Sequence, residues 1–200
     1  REDDSEPIAR ALPRRVAGPP EGGPRREEVS AGLLLASLSF TVALESRLIA
    51  PVALDIVARA LRAAYPDVVV ADALRVQCDE AYHAVLAAEL IGQVRRQSAA
   101  HAYQGEHPFL VHVDELVATF PTDEAAIVRF CAAAVAETLV TKALRDDWLS
   151  DSLQEDVRTF LRYHYRDEVR HSAFFSQLLQ LLWPQWPESV RCALRPVWQG

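Results

Sequence analysis

The segment RYHYRDEVRHSAFF, residues 162–175, places three side chains with metal-binding chemistry among aromatic and apolar neighbours. His164, Glu168 and His171 are at positions i, i+4 and i+7 of a predicted helix, so they lie along one side of it. Neutral imidazoles and a carboxylate are the usual ligands of a divalent transition metal. An unpaired carboxylate buried among Phe and Leu would be strongly unfavourable. These residues therefore either face water or have their burial compensated.

The pattern DExxH occurs twice, at residues 79–83 and 167–171. One copy is weak evidence for a metal site, because helices commonly carry exposed glutamates and histidines. Two copies on separate long helices favour a shared site. Asp79 and Asp167 each precede the glutamate of their copy, and we expect them to accept the second imidazole N–H of a ligand histidine.

Two further glutamates lie in apolar helical segments, Glu45 in SFTVALESRLIAPVAL and Glu137 in VRFCAAAVAETLVTKAL. The residues on the Glu137 side of its helix are apolar or small, so this carboxylate should point inward. One Glu from each of two helices and Glu-x-x-His from each of two others is the ligand set of ferritin-like di-iron and di-manganese proteins. The sequence therefore predicts six metal ligands: Glu45, Glu80, His83, Glu137, Glu168 and His171.

Hydrophobic periodicity predicts an all-α fold, a ferritin-like four-helix bundle with short additional helices. The absence of two-residue alternation and of hairpin turns argues against strands. The predicted long helices cover residues 29–64 with an interruption at Pro51, 69–100, 122–148 with an N-cap at Thr122, and 151–183 with a capping pair at Asp151 and Gln154. Short helices are predicted at 109–119 and 188–198.

The first 27 residues combine many charges with Pro and Gly, a composition that resists regular structure. We interpret residues 1–27 as an arm or linker and residues 28–200 as the helical bundle domain. The sequence contains no methionine, not even at position 1, so we expect the translated product to begin upstream of residue 1.

Composition excludes several classes of protein. The net charge of −7 and the scattered basic residues argue against nucleic-acid binding, which needs a clustered basic surface. The three cysteines are far apart and form no CxxC pair, so a reducing cytoplasm fits best. No uninterrupted apolar run reaches about 18 residues, and we predict neither a membrane span nor an export signal.

With His164 included, the ligand set resembles that of the p-aminobenzoate N-oxygenases and related arylamine oxygenases of natural-product pathways. Most ferritin-like enzymes bring two histidines to the metals, whereas this family adds a third, one helical turn before the last glutamate. His164 of HYRDEVRH occupies that place, and the resemblance covers roughly residues 30–182. It implies seven ligands: Glu45, Glu80, His83, Glu137, His164, Glu168 and His171.

The resemblance implies a centre of two iron ions that uses O2 to convert an amine into a hydroxylamine and often onward to a nitro compound. It also implies an external electron donor, a small amine substrate that is free or carrier-bound, and a homodimer. Family members are usually longer than this chain, which leaves the substrate open.

Several alternatives remain at this point. His164 can be an ordinary helix residue hydrogen-bonded to a neighbour. Thr141 can deliver protons to bound oxygen, although a helical Thr more often bonds the carbonyl four residues back. Arg170 can pair with an aspartate or lie on the surface. The other functions considered are hydroxylation or desaturation at carbon, iron storage, and a purely structural role.

Overall fold

A computed structural model describes residues 24–98, 105–149 and 155–194. Within these residues every regular element is helical and no strand occurs, which confirms the all-α prediction. The first long helix comprises α1 (Pro24–Leu44), a π-helical turn (Glu45–Ile49) and α2 (Ala50–Val57). The remaining elements are α3 (Asp67–Gln97), α4 (Pro108–Ala118), α5 (Ala125–Trp148), α6 (Glu155–Leu182), a 3₁₀ turn (Trp183–Gln185) and α7 (Glu188–Leu194).

The long helices pack against one another as a bundle. Helix α5 packs along α6, α1 and α2 pack along α3, and α3 also contacts α6. The largest buried apolar cluster draws residues from all of these long helices, and α1 contributes its last residue, Leu44. In this cluster the ring of Phe130 lies 5.8 Å from that of Phe175 and 6.1 Å from that of Trp186. The bundle therefore has an apolar core that can hold polar side chains in fixed places.

The interruption predicted at Pro51 takes the form of the π-helical turn. The N–H of Ala50 donates to the carbonyl of Glu45, five residues back. Pro51 follows in the first turn of α2 and has no N–H with which to continue regular α-helical bonding. Single π turns within long helices are often found at functional sites. The turn begins at Glu45, one of the predicted ligands.

The first helix is shorter than predicted, because it ends at Val57 and not at residue 64. Arg59 and Arg62 adopt left-handed backbone conformations, with φ of 56° and 51°. A right-handed helix cannot include such residues. Arginine is a good helix former, so local propensity gave no sign of this ending.

Tertiary hydrogen bonds hold the segment that follows α2. The guanidinium of Arg59 donates to the carbonyl of Tyr65 at 2.8 Å, and the buried Tyr65 hydroxyl donates to the carbonyl of Ile56 at 2.7 Å. From the other end of the chain, the indole N–H of Trp186 donates to the carbonyl of Leu61 at 2.9 Å. The Trp186 bond joins residues 125 apart in the sequence, and periodicity alone contains no sign of such a contact.

The N-cap predicted at Thr122 is wrong, since α5 begins at Ala125 and Glu124 occupies the cap position without a side-chain hydrogen bond. The carbonyl of Pro121 accepts the N–H groups of Glu124 and Ala125 at 2.9 and 3.1 Å, so a turn replaces the predicted first helical residues. The other described helix ends lie within a few residues of their predicted places. Helix α1 begins at Pro24, inside the segment interpreted as an arm.

Some predicted features lie outside the described residues. These are the arm up to residue 23, the capping pair Asp151 and Gln154, and the last helix beyond residue 194, whereas the second helix ends at Gln97, within the described residues.

The helix over Glu28–Val57 is long and apolar enough to cross a membrane by length and composition, with a mean hydropathy of 1.6 over the most apolar window. One third of that window is buried inside the bundle. The buried residues of this helix include Leu44, Leu48, Ile49 and Val52, so part of its apolar character comes from core packing. Core helices of soluble bundles pass the same test of length and composition.

Replacing Trp186 with Phe should lower the free energy of unfolding by about 1–3 kcal/mol, because the carbonyl of the buried Leu61 loses its hydrogen-bond donor. Urea denaturation of the metal-free protein measures this change. Trp183→Phe is the matched control, since Trp183 is only partly buried and the change should be smaller. Equal losses in the two variants would contradict a specific role for the Trp186 hydrogen bond.

Candidate metal centre

Seven polar side chains with titratable groups lie in the interior of the bundle. Each is at most 2 % exposed, and they are the only buried polar or charged residues in the described part of the chain. All four long helices contribute. We call the seven together the ligand layer: Glu45 from the π-helical turn, Glu80 and His83 from α3, Glu137 from α5, and His164, Glu168 and His171 from α6. They are the seven residues that the sequence singled out.

The donor atoms of the ligand layer form two overlapping groups. Within each group, one nitrogen or oxygen of every residue lies within 4.8 Å of those of the others. Glu168 belongs to both groups. The first group is Glu45, His83, His164 and Glu168, and the second is Glu80, Glu137, Glu168 and His171.

The two DExxH copies present their histidines through the same ring atom. The Nδ1 atom of His83 lies 3.3 Å from a carboxylate oxygen of Glu80 and 3.3 Å from one of Glu168. The Nδ1 atom of His171 lies 2.6 Å from Glu80 Oε1 and 3.6 Å from Glu168 Oε1. Both imidazoles therefore turn Nδ1 toward the same two carboxylates.

His164 presents its other ring nitrogen. Its Nε2 atom lies 3.2 Å from Glu168 Oε1 and 3.8 Å from Glu45 Oε1. The ring centroids of His164 and His83 are 4.0 Å apart, so both imidazoles reach the first group from one side. His164 is 2 % exposed, which excludes a surface position for it.

Among the described residues, six buried donor atoms of the ligand layer make no well-directed hydrogen bond, although some of them lie close together, such as His171 Nδ1 and Glu80 Oε1 at 2.6 Å. They are Glu45 Oε2, Glu80 Oε1, Glu137 Oε2, His164 Nε2, Glu168 Oε1 and His171 Nδ1. Each buried polar group left unpaired costs about 1–3 kcal/mol, more when it is charged. Cations held between these atoms would supply the missing partners, and carboxylates with imidazoles are ligands that iron, manganese and zinc accept. The donor set therefore fits two divalent metal ions.

The four carboxylates respond differently to being close together without a cation. Burial raises the pKa of Glu45 and of Glu137 well above the usual value, and the neighbouring carboxylates raise both further. Burial also disfavours the charge on Glu80, but close polar contacts with Glu45, His171 and His83 outweigh it and lower the Glu80 pKa to about 2. The metal-free layer therefore shares protons so that not every carboxylate is charged.

The histidines take part in this sharing. Burial lowers the pKa of His83, but contacts with Asp167, Glu168 and Glu80 outweigh it and raise the pKa to about 11. In His171 contacts with Glu168 and Glu80 outweigh burial in the same way, and the pKa is about 10. The metal-free protein therefore keeps protons at sites that a metal ion would have to take over.

The two aspartates of the DExxH copies contact the outer nitrogens of the histidines, and they do so crosswise. Asp167 Oδ2 of α6 lies 3.3 Å from Nε2 of His83 on α3. Asp79 Oδ2 of α3 lies 3.1 Å from Nε2 of His171 on α6. Each aspartate therefore orients the histidine of the opposite helix, a pairing that spacing along one helix does not reveal.

Thr141 is one turn from Glu137 and lies against backbone, half-buried. Its hydroxyl is 2.6 Å from the carbonyl of Glu137 and 3.1 Å from the carbonyl of Glu168. It donates to the α5 carbonyl four residues back and also approaches α6, so its contacts are those of a residue that joins two helices.

The fold and the site together define a ferritin-like helical protein with a buried layer of carboxylates and imidazoles. Comparison with protein families finds a match over residues 22–198 to the family described as P-aminobenzoate N-oxygenase AurF. The match spans most of the chain, so the protein belongs to this family of oxygenases, and the resemblance inferred from the motifs is confirmed. Comparison with curated proteins gives no significant match.

Metal affinity should increase with pH. The pKa values of His83 and His171 are about 11 and 10, so both histidines hold protons near neutral pH that a metal ion displaces, and the raised pKa values of Glu45 and Glu137 act in the same direction. Calorimetric titration with Co²⁺ in buffers of different ionisation enthalpy, between about pH 6.5 and 8.5, measures both the affinity and the protons released. Affinity that does not change with pH, with no proton release, would contradict this account.

Proposed function

We propose that this protein is a non-haem di-iron oxygenase that uses O2 to oxygenate the nitrogen of a small amine in a natural-product pathway. The observation that carries the proposal is the ligand layer with its unpaired donor atoms, including the third histidine, in a chain of this family. Two ferrous ions bring four positive charges, and the four carboxylates of the layer bring four negative ones when ionised. The pair of ions would thus neutralise the layer, with the three imidazoles as neutral ligands.

The residues divide between the two ions according to the two groups of donor atoms. Glu168 is common to both groups and would help to hold both ions. The first ion would be held by Glu45, His83, His164 and Glu168, and the second by Glu80, Glu137, Glu168 and His171. The first ion would therefore have two imidazole ligands and the second only one.

The ions would supply the redox chemistry that activates O2. The chain itself contributes fixed geometry, because each ligand lies on a long helix and is almost fully buried. The Asp167 and Asp79 carboxylates hold the outer N–H groups of His83 and His171, which fixes the tautomer with Nδ1 free for a metal. The apolar residues around the layer exclude water, which strengthens electrostatic interactions inside it.

His164 distinguishes this layer from one with two histidines. It adds a neutral nitrogen donor, so the net charge of the ligand layer is still set by the four carboxylates. Its Nε2 atom is buried among carboxylates, 3.2 Å from Glu168 Oε1, and makes no well-directed hydrogen bond within the described residues, which supports a ligand role over that of an ordinary helix residue. Burial lowers the pKa of His164, so this imidazole is neutral and its nitrogen is available.

The remaining parts of the proposal follow from the chemistry and the family. Reduction of O2 requires electrons, so the proposed reaction uses an external electron donor. The substrate is a small amine, free or attached to a carrier, and a homodimer is the proposed assembly. The thiols of Cys78, Cys131 and Cys192 are not in disulfides, which supports a cytoplasmic location.

Oxygenation at nitrogen and hydroxylation at carbon can be separated by isotopes. The iron-reconstituted protein is supplied with reductant, ¹⁸O2 and a panel of arylamines that includes ring-deuterated p-aminobenzoate. N-oxygenation is expected to give a labelled hydroxylamine or nitro product that keeps all of its ring deuterium in mass spectra. Loss of deuterium with label on carbon would replace the proposal with a carbon hydroxylase. Mineral growth without organic product would replace it with iron storage.

Replacing Glu80 with Gln should weaken iron binding and lower the rate of product formation by at least about 10–100-fold, because the layer loses a charged carboxylate that contacts Nδ1 of both His83 and His171. Glu89→Gln is the matched control, since Glu89 lies on the same helix α3 and its side chain is exposed. Iron is measured by metal analysis after desalting, and the rate from product mass spectra. Two irons per chain in Glu80→Gln, with wild-type rate, would contradict the assignment of this ligand.

A further inference from the structure

The guanidinium of Arg170 lies between the two aspartates outside the ligand layer. Its Nη2 atom is 2.6 Å from Asp167 Oδ1 on the same helix and 3.3 Å from Asp79 Oδ2 on α3. One nitrogen of one side chain thus contacts both carboxylates. Arg170 itself is not in the ligand layer, and its side chain is 65 % exposed.

The two contacts of Arg170 lead to different histidines. Through Asp167 it is connected to Nε2 of His83, and through Asp79 to Nε2 of His171. These histidines belong to different groups of donor atoms. A single cation on the outside of the bundle is therefore connected to both proposed metal positions.

We propose that Arg170 is a positioning residue that holds Asp79 and Asp167 against the two histidines and so orients both metal positions at once. The inference rests on the proposed function, because orientation of the imidazoles matters to the protein only if they bind metal. Arg170 is not itself a predicted ligand. In this proposal a single side chain orients one histidine ligand of each of the two ions.

Electrostatics explains why the two aspartates need a cation. Their side chains are 35 % and 29 % exposed, so each can rotate toward water and release its histidine. The two aspartate carboxylates repel each other. A guanidinium between them attracts both, so the electrostatic energy of the three groups together becomes favourable. Loss of a residue that orients a ligand histidine typically weakens metal binding 10–100-fold.

The same electrostatic contact contributes little to folding. Ion pairs between exposed side chains have small effects on stability, because solvent screens them and they restrict flexible chains. The variant Arg170→Gln is therefore expected to fold normally. A defect in metal binding without a defect in folding distinguishes positioning from a structural role.

The chain offers a matched control beside Arg170. A cavity of about 670 Å³ between α3 and α6 is lined by Arg170, Asp79 and His171, and Arg75 lines it as well. Arg75 pairs with Asp72 on its own helix. Arg75→Gln therefore removes the same charge from the same cavity, and it leaves both His–Asp contacts in place.

The test uses Co²⁺, which binds without O2 chemistry and has visible absorption that reports ligand geometry. In the wild type, titration should give two bound ions per chain. Arg170→Gln should weaken the binding of both ions by about 10-fold or more and change both sets of absorption bands. Arg75→Gln should remain within about twofold of the wild type, and circular dichroism melting of all metal-free forms should coincide.

Single aspartate variants distinguish the connection from Arg170 through Asp167 to His83 from the connection through Asp79 to His171. Asp167→Asn should perturb the ion bound by His83, and Asp79→Asn the ion bound by His171, while Arg170→Gln perturbs both. Arg170→Lys should recover most of the affinity, since one nitrogen makes both contacts and an ammonium can replace it.

Wild-type binding and spectra in Arg170→Gln would overturn the inference, as would Arg170→Lys behaving like Arg170→Gln. Failure of the proposed function gives a different result, in which the wild type and Arg75→Gln bind neither Co²⁺ nor Fe²⁺.

Discussion

Mutual repulsion among four buried carboxylates is the constraint on which the rest of this structure depends. Two like charges about 4 Å apart repel by about 4 kcal/mol at the effective dielectric of a protein, and Glu45, Glu80, Glu137 and Glu168 lie in one layer. The apolar packing of the long helices brings these groups together against that repulsion. Protons partly relieve it in the metal-free protein, and two divalent cations would relieve it fully. The unpaired donor atoms therefore result from the packing of all the long helices and not from the conformation of a single side chain.

The DExxH pattern has two uses in this bundle. Within its own helix each copy gives a glutamate and a histidine to the ligand layer, and across the interface its aspartate orients the histidine of the other copy. Because the use is reciprocal, α3 and α6 must have one relative register for both contacts to form. The repeated sequence thus encodes how two helices face each other as well as which atoms can bind a metal.

The ligand layer could be predicted from the sequence, because glutamates such as Glu137 are improbable on an apolar helical face unless something compensates their charge. The all-α fold could also be predicted, because apolar residues recur at helical spacing along the long segments. The early end at Val57 could not be predicted, since it depends on hydrogen bonds from Tyr65 and Trp186 that form only in the folded protein. The crosswise aspartate contacts and the place of Arg170 likewise depend on the register between helices, which local patterns do not contain.

The distribution of ligands along the chain has a consequence for biosynthesis. Helix α6 supplies His164, Glu168 and His171, so a nascent chain that has left the ribosome only as far as Trp148 has three carboxylates and a single imidazole of the layer. Each group of donor atoms is incomplete at that stage, because Glu168, which is common to both, is missing. Neither group of donor atoms could therefore be complete until α6 has been translated.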